Sequence, residues 1–462
     1  MSIPSSFWLT VLQICILAGL VCLGSANVQQ HTCPDSSSLL YAPSCSENGA
    51  RHDIAREQLL KSLDRNSGKW NKKHPRWQVL EALHGYDKYE KIVGAEIDRF
   101  ENLYRHVPKK HKKILESTIN YKNNFDEARA LLKINAAFCS KVFHFSLTYC
   151  NISRHELASF IAETDDGKPK SAIRTTVSQS LKHMVRDWSP EGHPEREATF
   201  PFILNALSTH LPPPPDNTKY SILVPGSGLG ALAHEISLLG PYTSVTSNEL
   251  SASMNMASRY LTSLPSSHGP ITLHPFLESW SHARTRHELI RPVTIQPPTT
   301  PTETLLIEGD FTSKFIHSTG TFHAIATLFF IDTARNLVAY LETIHALLRP
   351  GGIWINVGPL LYGTAPLVQL SLEEIIAVAE GMGFDFEIMH HGEGEGEEES
   401  LGGKVEQREV LYNFNASTLY KHGYVAQCWV ARKRGGGGGS GEEERREVVG
   451  KGVFERLKEK LL

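Results

Sequence analysis

The chain has 462 residues, with 47 Lys and Arg set against 50 Asp and Glu for a net charge of −3. That balance makes no global electrostatic case for nucleic acid, because no basic excess supplies the field. The 40% hydrophobic content supports a folded core and gives no reason to expect a multi-span membrane protein.

Phe7 to Gly24 is apolar apart from Thr10 and Gln13, and Gly24-Ser25-Ala26 offers small residues for cleavage. Residues 1–26 therefore read as a signal peptide, or as an uncleaved anchor giving membrane association through residues 7–24. Either predicts the secretory pathway at the endoplasmic reticulum; the alternative is a cytoplasmic catalytic domain. Asn151-Ile152-Ser153 and Asn415-Ala416-Ser417 are glycosylation sequons. Cys33 and Cys45 would close a small loop in an oxidising compartment, whereas Cys139, Cys150 and Cys428 read as buried hydrophobes. No CxxC or HExxH spacing occurs, so no metal site is expected.

Residues 27–215 read as a lead-in and a helical region. Leu59, Leu60 and Leu63, then Val79, Leu80 and Leu83, recur at three- and four-residue spacing. The basic cluster Pro108 to Lys113 reads as a solvated helix start. Asp165 to Pro169 is a loop. In the next helix Val177, Leu181, Met184, Val185 and Trp188 make one stripe, and Gln179, Lys182, His183 and Arg186 the opposite face. If that helix packs on a nucleotide domain, His183 and Arg186 point at a ligand carboxylate; otherwise the face is simply solvated.

Residues 216–433 change period. Ile222 to Val224 is a buried strand, Gly226, Gly228 and Gly230 form a tight turn, and Leu229, Leu232, Ala233 and Ile236 continue as a helix. Glycines let a ligand approach the backbone, and the helix start offers free N–H groups. A second strand, Thr243 to Thr246, runs into Asn248-Glu249, about 20 residues past the glycines, where a carboxylate takes both hydroxyls of a ribose. NAD enzymes and S-adenosylmethionine enzymes share this device. Ala252 to Leu264 is helical, and Ser266 to Pro301, rich in Pro, Thr, Ser and His, reads as a long surface insertion. Strands follow at Leu305 to Phe311, Phe322 to Phe330 and Ile353 to Val357, with a helix at Leu337 to Leu348 and a turn at Arg349-Pro350-Gly351-Gly352. Leu372 to Met382 is a helix and Phe384 to Met389 a strand. Gly392 to Glu406 reads as a disordered acidic insertion, and Tyr424 to Ala431 as the last strand.

Alternating strands and helices predict an α/β doubly wound, Rossmann-like sheet of the class I methyltransferase type behind an N-terminal helical domain. Two closing strands without a helix between them predict an antiparallel hairpin at one edge, which favours a methyltransferase over a dehydrogenase. Residues 434–462 read as a Gly-rich linker and a charged amphipathic helix carrying Val449, Val453, Leu457 and Leu461.

VRDWS (Val185 to Ser189), ILVPGSGLG (Ile222 to Gly230), SNELS (Ser247 to Ser251), GDF (Gly309 to Phe311), FFIDTARN (Phe329 to Asn336) and GGIWINVGPLLY (Gly351 to Tyr362) occur in that order. Together they resemble the carnosine N-methyltransferase family. The resemblance implies S-adenosylmethionine as cofactor and the imidazole of a histidine-containing dipeptide or peptide as acceptor. It places Arg186 at the cofactor carboxylate, Gly226 and Gly228 at its amino-acid portion and Glu249 at its ribose. Asp310 and Phe311 would frame the adenine, and Asp332 and Tyr424 would contact the acceptor. His183 stands where the family has Gln, Ala231 where it has Arg, and Leu328 where it has a Cys lining the cofactor pocket. Gly363 stands where it has a substrate-contacting His.

On this reading Asp332 accepts the N–H of the acceptor ring, fixing its tautomer while the other nitrogen attacks. A helix N-cap for Thr333-Ala334 is the competing role for the same carboxylate. A methyltransferase for another small molecule or peptide, and a non-catalytic secretory or membrane protein keeping the fold, are the alternative functions.

Overall fold

Helices fill the first half of the chain because its apolar residues recur at three and four. They are α1 (Glu47–Ser62), α2 (Pro75–Asp87), α3 (Tyr89–Arg105), α4 (Lys109–Ile119), α5 (Asn123–Tyr149), α6 (Arg154–Thr164), α7 (Ser171–Trp188) and α8 (His193–His210). The computed structural model describes residues 47–164, 171–216, 218–298, 304–363, 365–389, 401–412 and 418–435. The expected signal segment, the Cys33–Cys45 loop, the loop at 165–169, the Asn415 sequon, most of the acidic insertion and the C-terminal helix lie outside them. Among the described residues no helix is long and apolar enough to cross a membrane. Leu63, Leu83, Ile97, Phe125, Leu132, Leu181 and Met184 are buried together between the helices. The basic cluster is the exposed start of α4 after Pro108, as expected. Cys139, Cys150 and Cys428 are buried thiols.

The second half follows as β1 (Tyr220–Pro225), α9 (Ala231–Ser237), β2 (Thr243–Glu249), α10 (Ala252–Ser263), β3 (Ile271–Leu273), α11 (Arg286–Ile290), β4 (Val293–Ile295), β5 (Leu305–Glu308) and α12 (Phe311–Lys314). Then come β6 (Phe322–Leu328), α13 (Leu337–Leu347), β7 (Leu348–Gly358), α14 (Leu372–Met382), β8 (Phe384–Phe386), β9 (Glu406–Leu411) and β10 (Gly423–Lys433). The main sheet runs β5-β2-β1-β6-β7-β10-β8, with β9 also paired to β10. The strands from β5 to β7 are parallel, and β10 enters antiparallel between β7 and β8. Parallel strands are covered on both faces, which makes them near-continuous apolar runs. Ile222 and Val224 of β1 face the α8–α9 layer, while Leu223 faces the layer holding Leu337, Leu341 and Ile375. The α/β doubly wound sheet is therefore present, and the antiparallel ending is as expected. The last strand, however, lies inside the edge rather than on it.

Three expectations fail. The described part of the expected surface insertion, 266–298, is tied into the fold: β3 and β4 pair antiparallel, and Leu273, Leu277, Val293 and Ile295 are buried in the helical core. Asn135 of α5 clamps this segment, donating from Nδ2 to the His274 carbonyl and accepting the His274 N–H, both at 2.8 Å. The Arg349 to Gly352 turn is absorbed into β7, where a register shift between Phe322 and Ala324 of β6 takes up the extra residues. The end of the acidic stretch is ordered, since Val405 is buried and Glu406 opens β9.

Candidate functional site

The site is built at the carboxyl ends of the parallel strands, where open α/β sheets bind ligands. Gly226, Gly228 and Gly230 have φ of 65°, 57° and 90°, left-handed values that a side chain resists. Space is the second constraint. A Cβ on Gly226 would lie 2.4 Å from the Phe330 ring, and one on Gly228 3.2 Å from Arg186 Nη2 and 3.8 Å from His183 Nδ1. Helix α7 thus delivers His183 and Arg186 to the glycine turn, as the helical face predicts. Gly226→Ala should cost about 1–2 kcal/mol for the left-handed backbone and about 1–3 kcal/mol for overpacking against Phe330. A lower urea midpoint at unchanged slope checks this; an unchanged midpoint would remove the close-contact account.

The amides of the glycine turn itself are taken, while no side chain caps the start of α9 behind Gly230. Ser227 N–H donates to the Asn248 carbonyl, Gly228 N–H to Glu249 Oε2, Leu229 N–H to Asp187 Oδ2, and Gly230 N–H to the Ser227 carbonyl. Arg186 is the cation beside the turn, with Nη2 3.2 Å from where a Gly228 Cβ would stand. Burial works against the Arg186 charge, but the charge and hydrogen bond of Asp187 outweigh it. Burial, helped by Arg186, pushes His183 down to about 4, so its ring is neutral at pH 7. His183 Nδ1 and Ser227 Oγ are buried without a partner.

Glu249 ends β2 with Oε2 on Gly228 N–H at 2.9 Å and Oε1 on Ser251 N–H at 2.7 Å. Burial raises its pKa against the pull of those amides. Asp310 is exposed, and its Oδ1 caps α12 by accepting Thr312 N–H at 2.8 Å. Its charge and that of Glu249 both reach the Tyr340 phenol. Phe311 is buried edge-on to Phe330 and Tyr340, at 5.4 and 5.5 Å between ring centres. Leu328, half-buried, ends β6 on the opposite layer.

Beyond Leu328 the chain turns sharply. Phe329 has φ 51°, left-handed for a bulky residue, and its N–H donates to the Val357 carbonyl at 2.8 Å. Its ring stacks on Tyr412 at 5.6 Å and meets Tyr424 at 5.9 Å. Asp332 lies in a short 3₁₀ turn, Ile331–Thr333, while α13 starts only at Leu337 behind Asn336. The helix-cap role is therefore wrong. Its Oδ2 accepts the Leu361 N–H at 3.0 Å instead. Burial raises the Asp332 carboxyl to about 6 although three backbone amides oppose it. Burial also raises the Tyr424 phenol, with the charges of Tyr412 and Asp332 adding. Gly363 is exposed with nothing within 4 Å of where a Cβ would stand, so this position offers the acceptor no side-chain contact.

Asp187, Ser227, Phe329 and Tyr412 escaped the sequence reading. Asp187, Ser227 and Phe329 had a local signal in their places in VRDWS, ILVPGSGLG and FFIDTARN; Tyr412 had none. A separate surface groove of ≈ 420 Å³, lined by Lys133, Lys141, Tyr260 and Ile271 among others, holds none of the predicted site residues.

A carnosine N-methyltransferase family model matches residues 163–435. The chain belongs to that family. It is 31% identical to the rat carnosine N-methyltransferase over 374 residues, 77% of this chain and 85% of the rat protein. With the carnosine N-methyltransferase of Schizosaccharomyces pombe it shares 35% identity over 239 residues, 46% of this chain and 63% of the yeast protein. Among solved structures, a magnesium protoporphyrin IX methyltransferase from Synechocystis is similar at 11% identity and a TM-score of 0.32, over 57% of this chain and 99% of that one. This chain is an S-adenosylmethionine-dependent N-methyltransferase. The residues present fit the cofactor: Arg186 for its carboxylate, the unpartnered His183 Nδ1 and Ser227 Oγ beside the glycine turn, and Glu249 for the ribose.

Proposed function

We propose that this enzyme methylates an imidazole nitrogen of a histidine-containing dipeptide or peptide. The observation that carries the reading is Asp332: a buried carboxyl, raised to about 6, with one oxygen held by Leu361 and its charge felt by Tyr424. Bound S-adenosylmethionine supplies an already activated methyl group. What the protein adds is alignment and charge placement. Asp332 accepts the ring N–H and so leaves the other nitrogen neutral and nucleophilic. As positive charge grows on the ring, the same carboxylate stabilises it and takes up the N–H proton. Phe329, Tyr412 and Tyr424 present aromatic faces that favour a flat, increasingly cationic ring. The fitting experiment is transfer of a labelled methyl group across a panel of histidine dipeptides and peptides, with the product position read by mass spectrometry. Label on imidazole supports the reading, and transfer only to other groups overturns it. Open space at Gly363 favours the second reading, a different small molecule or peptide as acceptor.

Residues 7–24 are further proposed to send the chain into the secretory pathway. Asn151 is exposed just past α5 with φ 52°, while Ile152 of the same sequon is buried. In cells Asn151→Gln should then abolish one endoglycosidase-sensitive mobility step. A full-length chain with no such step, found diffusely in the cytosol, would reject the targeting.

A further inference from the structure

Arg186 is adjacent in sequence to Asp187, and neighbours on a helix do not ordinarily face one another. Here Asp187 nevertheless turns back on Arg186. Its Oδ1 accepts from Arg186 Nε at 2.6 Å, and its Oδ2 accepts from Leu229 N–H at 3.2 Å. The Asp187 side chain is 4% exposed. One buried carboxylate therefore ties the guanidinium to the glycine turn. Nε is the inner guanidinium nitrogen, so holding it fixes the plane and leaves the outer nitrogens to a ligand. One of these, Nη2, is the atom that a Gly228 Cβ would approach to 3.2 Å. The Leu229 peptide is held from its other side as well: its carbonyl accepts from Trp188 Nε1 and from Ser258 Oγ, each at 3.2 Å.

We propose that Asp187 is a positioning residue for the cofactor: it aims Arg186 at the cofactor carboxylate and locks the glycine turn in the shape that receives it. The inference rests on Arg186 meeting that carboxylate. A rival account makes Asp187 no more than a counter-charge. The two differ in sign. A mere counter-charge competes with the cofactor carboxylate for Arg186, so its removal would tighten binding. A positioning residue, when removed, weakens it. Asp187→Asn is nearly isosteric but has one acceptor oxygen for two donors, and its amide N–H₂ must confront either Arg186 or Leu229.

The test is calorimetric binding of S-adenosylhomocysteine, which keeps the carboxylate and cannot turn over, to the full chain. Melting temperatures are taken in parallel. Asp187→Asn should fold and bind about tenfold more weakly, the scale of one charge-assisted hydrogen bond. In an Arg186→Ala background the same change should cost clearly less than in the wild type, because only the hold on the glycine turn through Leu229 N–H remains to be lost. Equal or tighter binding by the folded Asn variant overturns the proposal. So does full additivity in the double variant, or an Asn variant that cannot fold, which would make Asp187 a stability residue. Arg186→Ala with unchanged affinity would instead remove the carboxylate assignment on which the proposal rests.

Discussion

Cofactor affinity should fall by roughly 10- to 150-fold in Glu249→Ala, the range for a lost charge-assisted hydrogen bond. Two losses combine. The first is the carboxylate proposed to accept from the ribose hydroxyls. The second is internal: Glu249 holds the N–H groups of Gly228 and Ser251, so Ala also frees the glycine turn. Glu249→Gln separates these, since it keeps the length but has one oxygen for two amides; it should fall between wild type and Ala. Proton linkage adds a check. Burial raises the Glu249 pKa in the fold, so ionisation costs stability: the carboxyl's contribution is complete below its unfolded pKa and is lost as pH rises through the folded one. Ribose binding draws on the ionised form, so affinity should weaken as pH drops into the acid range. Calorimetry with S-adenosylhomocysteine reads all three, with NAD as a competitor expected to have no effect. Unchanged affinity in the Ala variant would withdraw the ribose assignment.

The elements around the glycine turn were legible in the chain because they are local. A strand, a glycine turn, a helix and a carboxylate at the next strand end follow one another within Ile222 to Glu249. Buried parallel strands also announce themselves as apolar runs. The stretch from Ser266 to Pro301 did not, because Leu273, Leu277, Val293 and Ile295 are separated by polar residues and prolines, and only pairing of β3 with β4 gathers them. The acidic composition around Glu406 hid β9 for a similar reason: its partner β10 supplies the hydrogen bonds that its own residues do not advertise. The acceptor half was less legible still. Phe329, Tyr412 and Tyr424 lie on different elements and meet only in the fold. For Asp332, local chemistry pointed to a helix cap, whereas the fold gives its carboxylate to Leu361.

Asp332→Asn should produce a slower enzyme that is at least as stable. Buried Asp332 has its carboxyl raised from 3.8 to about 6, so the fold prefers it protonated. By linkage that preference is fully expressed below pH 4 and is lost as pH rises through about 6, leaving a buried charge that costs the native state on the order of 2–3 kcal/mol at neutral pH. Asn carries no charge and can still accept the Leu361 N–H through its oxygen, so at pH 7 its melting temperature should match or exceed wild type. At pH 4 the gain should vanish. Turnover should move the other way, falling roughly 10²–10³-fold, as when one preorganised electrostatic partner is removed. The affinity for S-adenosylhomocysteine should hold if Asp332 serves the acceptor, as proposed. Wild-type kcat should decline below about pH 6 as the carboxyl gains its proton. The Asn variant should lose that limb and retain only the titration of the acceptor imidazole, near 6.5. A purely structural Asp332 predicts the reverse pair, a lower melting temperature with turnover intact. Wild-type turnover by the Asn variant on a verified imidazole acceptor would take Asp332 out of the chemistry, and the imidazole assignment would then rest on family membership alone.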